Sequence, residues 1–144
     1  MSAWEEGPGV VTLPDGRRVR GRGLRSELPP GPRPEFGVYL VGNDPGPFRW
    51  SYLWVECRDF RTPTDHHQAL AALSEAYRRA ESERVEVACG GGVGRTGLGL
   101  AALAVLSGVA PGDAVDWVRE HYDRKAVETP WQRRWVRRLP RPRT

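Results

Sequence analysis

The stretch of this chain best equipped for chemistry is a glycine-rich segment that joins Cys89 to Arg95. It reads C-G-G-G-V-G-R-T, follows a short apolar strand and precedes an Ala/Leu-rich helix predicted to reach Leu106. Strand, glycine loop and helix form an anion cradle, because backbone N–H groups and the positive end of the helix dipole point to one place. That potential stabilises a thiolate, and a planar guanidinium binds two phosphate oxygens at once. The segment therefore predicts a nucleophile, oxyanion donors and a phosphate clamp in one loop.

Two other phosphate-binding patterns fit this segment less well. A P-loop NTPase needs G-x-x-x-x-G-K-[ST], but Cys89 stands at its first glycine and Arg95 at its lysine. The dinucleotide pattern G-x-G-x-x-G is present over 92–97, yet it needs a following strand that ends in an acidic residue, and the next segment, 112–122, is predicted to be a helix. A further alternative stays open, in which Cys89 is a buried structural thiol and the glycines form a tight turn.

The pattern C-x5-R-[ST], with a strand before it and a helix after it, resembles the active-site loop of the cysteine-dependent protein tyrosine phosphatases, dual-specificity members included. The resemblance covers about Trp54 to Val136. It implies an α/β fold in a single domain, 1–144, with a central, mostly parallel, twisted sheet flanked by helices. It also implies that Cys89 is the nucleophile and that Thr96 helps the cysteine leave in the second step. The phosphate oxygens would be bound by Gly90, Gly91, Gly92, Val93, Gly94 and Arg95.

A general acid is predicted in the segment that joins the predicted strand 48–56 to the first long helix. Cleavage of a phosphate ester needs a proton for the leaving oxygen, and a carboxylic acid held over the cradle supplies it. In the tyrosine phosphatases the acid loop is typically Trp-Pro-Asp with a proline four residues later. Asp59 and Pro63 keep that spacing, although Cys57-Arg58 replace Trp-Pro. Asp59 is therefore the predicted acid, ahead of Asp65, which stands where a helix should start.

Three further positions are of interest in a chain that resembles this family. Gln132 stands where the family has a glutamine loop and would hold the water that hydrolyses the phosphocysteine; a surface amide is the alternative. Cys57 would approach Cys89 if the acid loop closes, which would allow a reversible disulfide; a buried bystander thiol is the alternative. Ala88 replaces the histidine that usually precedes the cysteine, which leaves the loop amides, Arg95 and the helix dipole to stabilise the thiolate.

The composition is that of one globular domain. The chain has 144 residues, of which 39% are hydrophobic and 28% charged, enough for a single core. No apolar run approaches the roughly twenty residues that span a bilayer, and the N-terminus lacks a basic region followed by an apolar one, so neither a membrane span nor a signal peptide is expected. Two cysteines do not make a disulfide framework, which indicates the cytoplasm as the compartment.

The charge of the chain and its metal-ligating residues limit the kinds of partner that are expected. The net charge of +4 is mild, and no basic helix with interleaved aromatics occurs, so nucleic-acid binding is not indicated. Adjacent His66 and His67 point to different faces of a helix, so a joint metal site is not expected. The two-step mechanism implied by the resemblance requires no metal, and no cofactor is expected. The expected partner is a phosphorylated protein or a small phosphate ester. A phosphoinositide phosphatase and a non-catalytic phosphate-binding module remain as alternatives.

Hydrophobic periodicity predicts the elements that hold these residues. Two β-leaning runs around a P-D-G turn predict an N-terminal hairpin over 10–20, and the Gly/Pro-rich segment 21–35 is predicted to be a surface loop. Thr64 is the predicted N-cap of a helix that ends at Ser82. Residues 1–35 lie outside the family resemblance, and 140–144 are predicted to be a frayed tail. The other predicted strands and helices cover 36–41, 48–56, 84–88, 113–122 and 130–139.

Overall fold

A five-stranded sheet lies at the centre of the structure, a computed structural model that describes residues 3–142. Strands β1 to β5 are Val10–Thr12, Arg18–Gly23, Phe36–Val41, Ser51–Glu56 and Val85–Cys89. Their spatial order is β1-β2-β5-β3-β4, with β1 antiparallel to β2 and the other neighbours parallel. The predicted α/β fold with a mostly parallel sheet and an N-terminal hairpin is confirmed. Residues 143–144 of the predicted tail lie outside the described part of the chain.

Four α-helices complete the fold within residues 3–142. Helices α1 to α4 are His66–Arg79, Gly94–Leu106, Ala114–His121 and Pro130–Arg137, with a 3-10 turn, Pro111–Asp113, before α3. Helix α2 is buried along nearly its whole length, which accounts for its Ala/Leu-rich sequence. A Cβ atom at Gly99 would lie only 2.7 Å from Cγ1 of Val87 on β5, so glycine allows α2 to pack directly on the central strand. In the described range, no helix is both long and apolar enough to cross a bilayer.

The sheet face opposite α2 carries a buried ionic cluster. Glu86 on β5 is fully buried, and its carboxylate accepts hydrogen bonds from Arg20 (2.8 Å), Arg22 (2.8 and 2.9 Å) and the Tyr39 hydroxyl (2.6 Å). The Trp4 ring lies 4.1 Å from the Arg20 guanidinium carbon and covers the cluster. The cluster therefore ties the N-terminal hairpin to the strand that ends at Cys89.

Two strand boundaries differ from the prediction. β4 begins at Ser51 rather than at residue 48, because Phe48 leaves the ladder and stacks on Tyr39 with ring centroids 4.7 Å apart. β2 continues to Gly23, which pairs with Cys89 of β5. The predicted surface loop therefore begins after Gly23, and its first residues belong to the sheet.

The first helix also differs at both ends. α1 begins after Asp65, whose carboxylate accepts a hydrogen bond of 3.0 Å from the backbone N–H of Gln68. Asp65, and not Thr64, is therefore the N-cap, since its side chain satisfies an amide in the first turn that has no partner within the helix. The helix ends at Arg79 instead of Ser82.

Candidate active site

The predicted phosphate loop connects β5 to α2 at the carboxyl edge of the parallel strands. Gly92 has a φ of +77°, which glycine adopts without strain. A Cβ at this position would lie 2.6 Å from the carbonyl carbon of Arg22, so the loop lies directly against β2. The Tyr122 hydroxyl donates a hydrogen bond of 2.5 Å to the Gly92 carbonyl. The loop is thus fixed by packing on one side and by a tyrosine on the other.

The Cys89 thiol accepts two hydrogen bonds inside this loop. The backbone N–H of Gly92 donates to Sγ at 3.2 Å and the Thr96 hydroxyl donates at 3.1 Å. Cys89 is only 2% exposed and Thr96 is fully buried. Sγ also lies just before the N-terminus of α2, where the helix dipole is positive. Two hydrogen-bond donors and the positive end of the helix dipole therefore converge on the Cys89 sulfur.

Arg95 lies in the first turn of α2 and is 6% exposed. One of its terminal nitrogens donates to the Cys57 carbonyl at 3.0 Å, which orients the guanidinium. Its Nε lies 3.6 Å from Oδ1 of Asp59 and is buried without a hydrogen-bond partner among the described residues. A buried donor of this kind is costly to leave unpaired, so it points to an oxygen ligand at this position.

Asp59 comes within ion-pair distance of Arg95, whereas its rival Asp65 caps α1. The Asp59 side chain is 49% exposed, so it borders the cleft without being enclosed. The next residue, Phe60, has a φ of +63°. Its carbonyl accepts a hydrogen bond of 2.6 Å from the indole N–H of Trp131 on α4. The segment that carries Asp59 is therefore held by contacts from α2 and from α4.

A cleft of about 230 Å³ opens at the loop. Six of its lining residues belong to the predicted site: Asp59, Cys89, Gly91, Val93, Gly94 and Arg95. Three more were not predicted from the sequence: Arg25, Phe60 and Glu128. Gly90, Gly92, Thr96 and Gln132 are not among the residues that line it.

Two of these additional residues, Arg25 and Glu128, differ in how far the sequence could have revealed them. Arg25 follows β2, and a parallel partner of β5 must end at the same edge of the sheet as the loop; recognising that β2 joins the parallel sheet would have found it. Glu128 packs its carboxylate against Gly94. It is placed there by Val127, whose φ of +59° is unusual for a β-branched residue. No sequence pattern predicts that backbone conformation.

Gln132 is fully buried, so the surface-amide alternative is wrong. Its Oε1 accepts hydrogen bonds of 3.0 Å from the backbone N–H groups of Glu128 and Thr129, which forms a capping box at the start of α4. Its Nε2 donates to the Arg61 carbonyl at 2.9 Å. The amide thus supports the acid segment from behind, and its contact with a hydrolytic water stays a prediction.

Cys57 is buried and, like Cys89, has a free thiol. Its Sγ lies 3.4 Å from the Arg61 carbonyl oxygen. Burial raises the pKa of the Cys57 thiol to about 12, with Arg95 opposing the shift. A thiol of that kind stays protonated and poorly nucleophilic at neutral pH. A disulfide between Cys57 and Cys89 therefore remains a prediction, and the raised pKa of the Cys57 thiol does not support it.

His66 and His67 are exposed at the start of α1. Their rings are 5.7 Å apart and meet edge to face. Within residues 3–142, no group of three His, Cys, Asp or Glu side chains is arranged to hold a metal ion.

Comparisons with known sequences give two related proteins and no matching family model. Both relatives come from Methanocaldococcus jannaschii and are named "Uncharacterized protein MJ0215" and "Uncharacterized protein MJECL20". Each is 37% identical over 90 residues, which is 62% of this chain. The match covers 55% of the first relative and 60% of the second. The chain therefore spans little more than half the length of these relatives.

Comparisons with solved structures give a closer indication of the fold. The crystal structure of Tk-PTP in the active form has a TM-score of 0.62 and 28% sequence identity, over 74% of this chain and 78% of that one. A mutant form of Tk-PTP gives a TM-score of 0.63 and 27% identity, over 74% and 76% of the two chains. The chain has a protein-tyrosine-phosphatase-like fold.

Proposed function

We propose that this chain hydrolyses phosphate monoesters through a phosphocysteine intermediate on Cys89. The observation that carries the proposal is the setting of the Cys89 sulfur. It accepts hydrogen bonds from Gly92 and Thr96 at the start of α2, beside Arg95, whose buried Nε makes no hydrogen bond among the described residues and lies 3.6 Å from Asp59. A nucleophile and an arginine donor without a hydrogen bond at its Nε lie in the same cleft.

In the first step the Cys89 thiolate attacks phosphorus in line with the ester oxygen. The S–P bond forms while the bond from phosphorus to the ester oxygen breaks, and protonated Asp59 gives its proton to the leaving oxygen. The equatorial phosphate oxygens are bound by the loop amides of 90–95 and by the Arg95 guanidinium, where the transition-state charge is spread. Arg95 exchanges its ion pair with Asp59 for these oxygens, which frees the carboxyl group for proton transfer.

In the second step water attacks phosphorus and the S–P bond breaks. Asp59, now ionised, takes a proton from the water, so both the acid and the thiolate are restored when phosphate leaves. The Thr96 hydroxyl stabilises the departing thiolate through the hydrogen bond already present at 3.1 Å. Gln132 would act in this step through the second hydrogen of Nε2, since the first is donated to the Arg61 carbonyl.

The proposed substrate class is a phosphorylated protein, cleaved at phosphotyrosine or with dual specificity. A phosphoinositide or a small phosphate ester is the alternative substrate, and a non-catalytic phosphate-binding module is the alternative function. We further propose that residues 1–144 form one domain and act in the cytoplasm, where the reducing environment keeps Cys89 as a thiol.

The test is phosphate release from an aryl phosphate at mildly acidic pH with a chelator present. Wild type is expected to turn over, Cys89→Ser to be inactive, and Asp59→Asn to lose about 10²- to 10⁴-fold in rate. Glu128→Gln is measured in parallel, because Glu128 is the other carboxylate in the cleft. A larger loss in Glu128→Gln than in Asp59→Asn would move the acid role to Glu128. An inactive wild type that still binds inorganic phosphate would establish the binding module instead.

A further inference from the structure

We propose that Arg25 selects substrates that carry a second anionic group next to the phosphate attacked by Cys89. The inference rests on the proposed function and adds a specificity determinant to the same site. Arg25 lies in the N-terminal region, before the sequence motifs of 54–136 that resemble the phosphatase family.

The backbone of Arg25 is fixed to the phosphate loop. β2 runs parallel to β5, so the two strands end at the same edge of the sheet. Beyond this edge the chain continues along the loop: the Leu24 N–H donates to the Cys89 carbonyl at 2.8 Å, and the Arg25 N–H donates to the Gly90 carbonyl at 3.1 Å. The base of the Arg25 side chain is thus held at the loop by the same backbone pairing that extends the sheet.

The guanidinium of Arg25 packs on the first glycine of the loop. A Cβ atom at Gly90 would lie 2.9 Å from a terminal nitrogen of Arg25 and 3.0 Å from its central carbon. A side chain at residue 90 would displace the guanidinium from this position. The guanidinium lines the same cleft as Cys89 and Arg95, so a substrate bound at the sulfur meets it directly.

The charge of Arg25 is not neutralised by the protein. Within residues 3–142 its guanidinium makes no hydrogen bond or ion pair, and the residue is exposed. Arg95, the other cation of the cleft, has Asp59 at 3.6 Å. Arg25 is therefore available to an anion supplied from outside, whereas Arg95 already has an internal one.

The cleft is polarised along the loop. Arg25 contacts Gly90 at its start, and the Glu128 carboxylate contacts Gly94 at its end, with Asp59 near Arg95. A phosphate held over the loop therefore has an uncompensated cation on the Gly90 side and carboxylates on the other side. The favoured substrate carries its second negative charge on the Gly90 side.

Two chemical groups can supply that second charge. A carboxylate from a neighbouring Asp or Glu of a peptide and a second phosphate both accept paired hydrogen bonds from a guanidinium. Because Arg25 is exposed, an ion pair with a carboxylate is expected to change affinity by no more than about fivefold. A doubly charged phosphate is expected to give a larger change, and both effects should shrink as salt is added.

The test compares phosphopeptides that differ only in the residues beside the phosphorylated one: alanine, glutamate, lysine, or a second phosphorylated residue. Wild type, Arg25→Ala and Arg25→Glu are measured for kcat/KM, with an aryl phosphate as the substrate that has a single anionic group. Arg49→Glu is the matched control for Arg25→Glu, because it makes the same change in net charge at an exposed residue before β4, at the opposite edge of the sheet. The same peptides are titrated against Cys89→Ser and Cys89→Ser/Arg25→Ala, so that binding is measured without turnover.

The proposal predicts that wild type prefers the glutamate and doubly phosphorylated peptides over the alanine peptide. Arg25→Ala should remove the preference, Arg25→Glu should reverse it toward lysine, and Arg49→Glu should leave it unchanged. Equal loss in Arg25→Ala on every substrate, the aryl phosphate included, would overturn the proposal and show that Arg25 binds the reacting phosphate. Turnover with no preference would also overturn it. Absence of turnover would contradict the proposed function alone, provided the Cys89→Ser titrations still show the charge preference.

Discussion

Trp131 donates its indole N–H to the carbonyl oxygen of Phe60, the residue that follows Asp59, over a distance of 2.6 Å. Phe60 has a φ of +63°, a conformation that residues other than glycine seldom adopt and that its surroundings must hold in place. Gln132 adds a second hydrogen bond from α4 to the next carbonyl, that of Arg61. The start of α4 therefore determines where the candidate acid lies relative to Arg95.

Replacing Trp131 by phenylalanine should slow the step that needs the acid. The indole hydrogen bond contributes about 0.5–1.5 kcal/mol, so kcat should fall about two- to tenfold for esters with poor leaving groups, with little change in KM. Esters with good leaving groups, which need no proton, should be less affected. Trp117→Phe is the control, since Trp117 lies on α3 and stacks on His121. Equal kinetics for Trp131→Phe and wild type would mean that Asp59 is positioned without this contact.

Thr96 should matter most when the phosphocysteine breaks down. Its hydroxyl donates to the Cys89 sulfur at 3.1 Å, and the residue is fully buried. Thr96→Val keeps the shape but removes a hydrogen bond to a charged sulfur, worth about 1.5–3 kcal/mol. The phosphoenzyme should accumulate and be seen as a burst of product, and Thr96→Ser should restore turnover. A Thr96→Val variant that is slow without a burst would place the role of Thr96 in the first step.

Neighbouring glycines of the loop should differ sharply in their tolerance of alanine. At Gly92 the backbone has a φ of +77° and a Cβ would lie 2.6 Å from the Arg22 carbonyl carbon, so alanine must displace the loop. At Gly91 a Cβ would meet nothing closer than an Arg25 nitrogen at 3.9 Å. Gly92→Ala is expected to lose turnover and inorganic phosphate binding, measured by calorimetry, while Gly91→Ala keeps both. Similar behaviour of the two variants would contradict the loop geometry.

Cys57 should not react with thiol reagents at neutral pH. Burial raises the pKa of its thiol to about 12, so iodoacetamide should label Cys89 alone, and the labelled peptide should be identified by mass spectrometry. Labelling of Cys57 in the folded Cys89→Ser variant would contradict this environment.

The same pKa shift predicts a loss of stability in alkali. Above the ordinary thiol pKa of 9.0 the unfolded thiol ionises, whereas the buried Cys57 thiol keeps its proton up to about pH 12. The contribution of Cys57 to the free energy of unfolding is therefore intact below pH 9 and is lost as the pH rises toward 12. Cys57→Ser should reduce the slope of stability against pH in that window, as followed by urea unfolding.

Local patterns predicted the parts of the site that are contiguous in sequence, and they missed the parts that the fold brings in from elsewhere. Cys89 and Arg95 belong to one loop, and the glycines between them predicted its conformation. The positions of both residues could therefore be predicted from the sequence. Arg25 reaches the loop only because β2 joins β5 in the sheet. Glu128 reaches it through the left-handed backbone of Val127. Neither the pairing of β2 with β5 nor the backbone conformation of Val127 can be predicted from a pattern of a few neighbouring residues.

Glu86, on the other face of the sheet, is a second residue whose environment a local sequence pattern does not predict. A glutamate between Val85 and Val87 fits an ordinary strand with one solvated face, yet its side chain is fully buried. What compensates it lies far away in sequence: Arg20 and Arg22 on β2 bind its carboxylate at 2.8 Å. A buried charge is tolerated only when such partners satisfy it, and the pairing of β2 with β5 supplies them.

Glu86→Gln should therefore destabilise the fold strongly. The variant keeps the size of the side chain but leaves Arg20 buried with no anionic partner, at a cost of about 3–5 kcal/mol when one member of a buried pair is removed. Glu81→Gln is the matched control, because Glu81 is 78% exposed and lies 3.9 Å from Arg17, a surface contact worth about 0–1 kcal/mol. Urea unfolding of both variants measures the difference. A loss for Glu86→Gln no larger than for Glu81→Gln would mean that the hairpin is held by its backbone pairing with β5 and not by the ionic cluster.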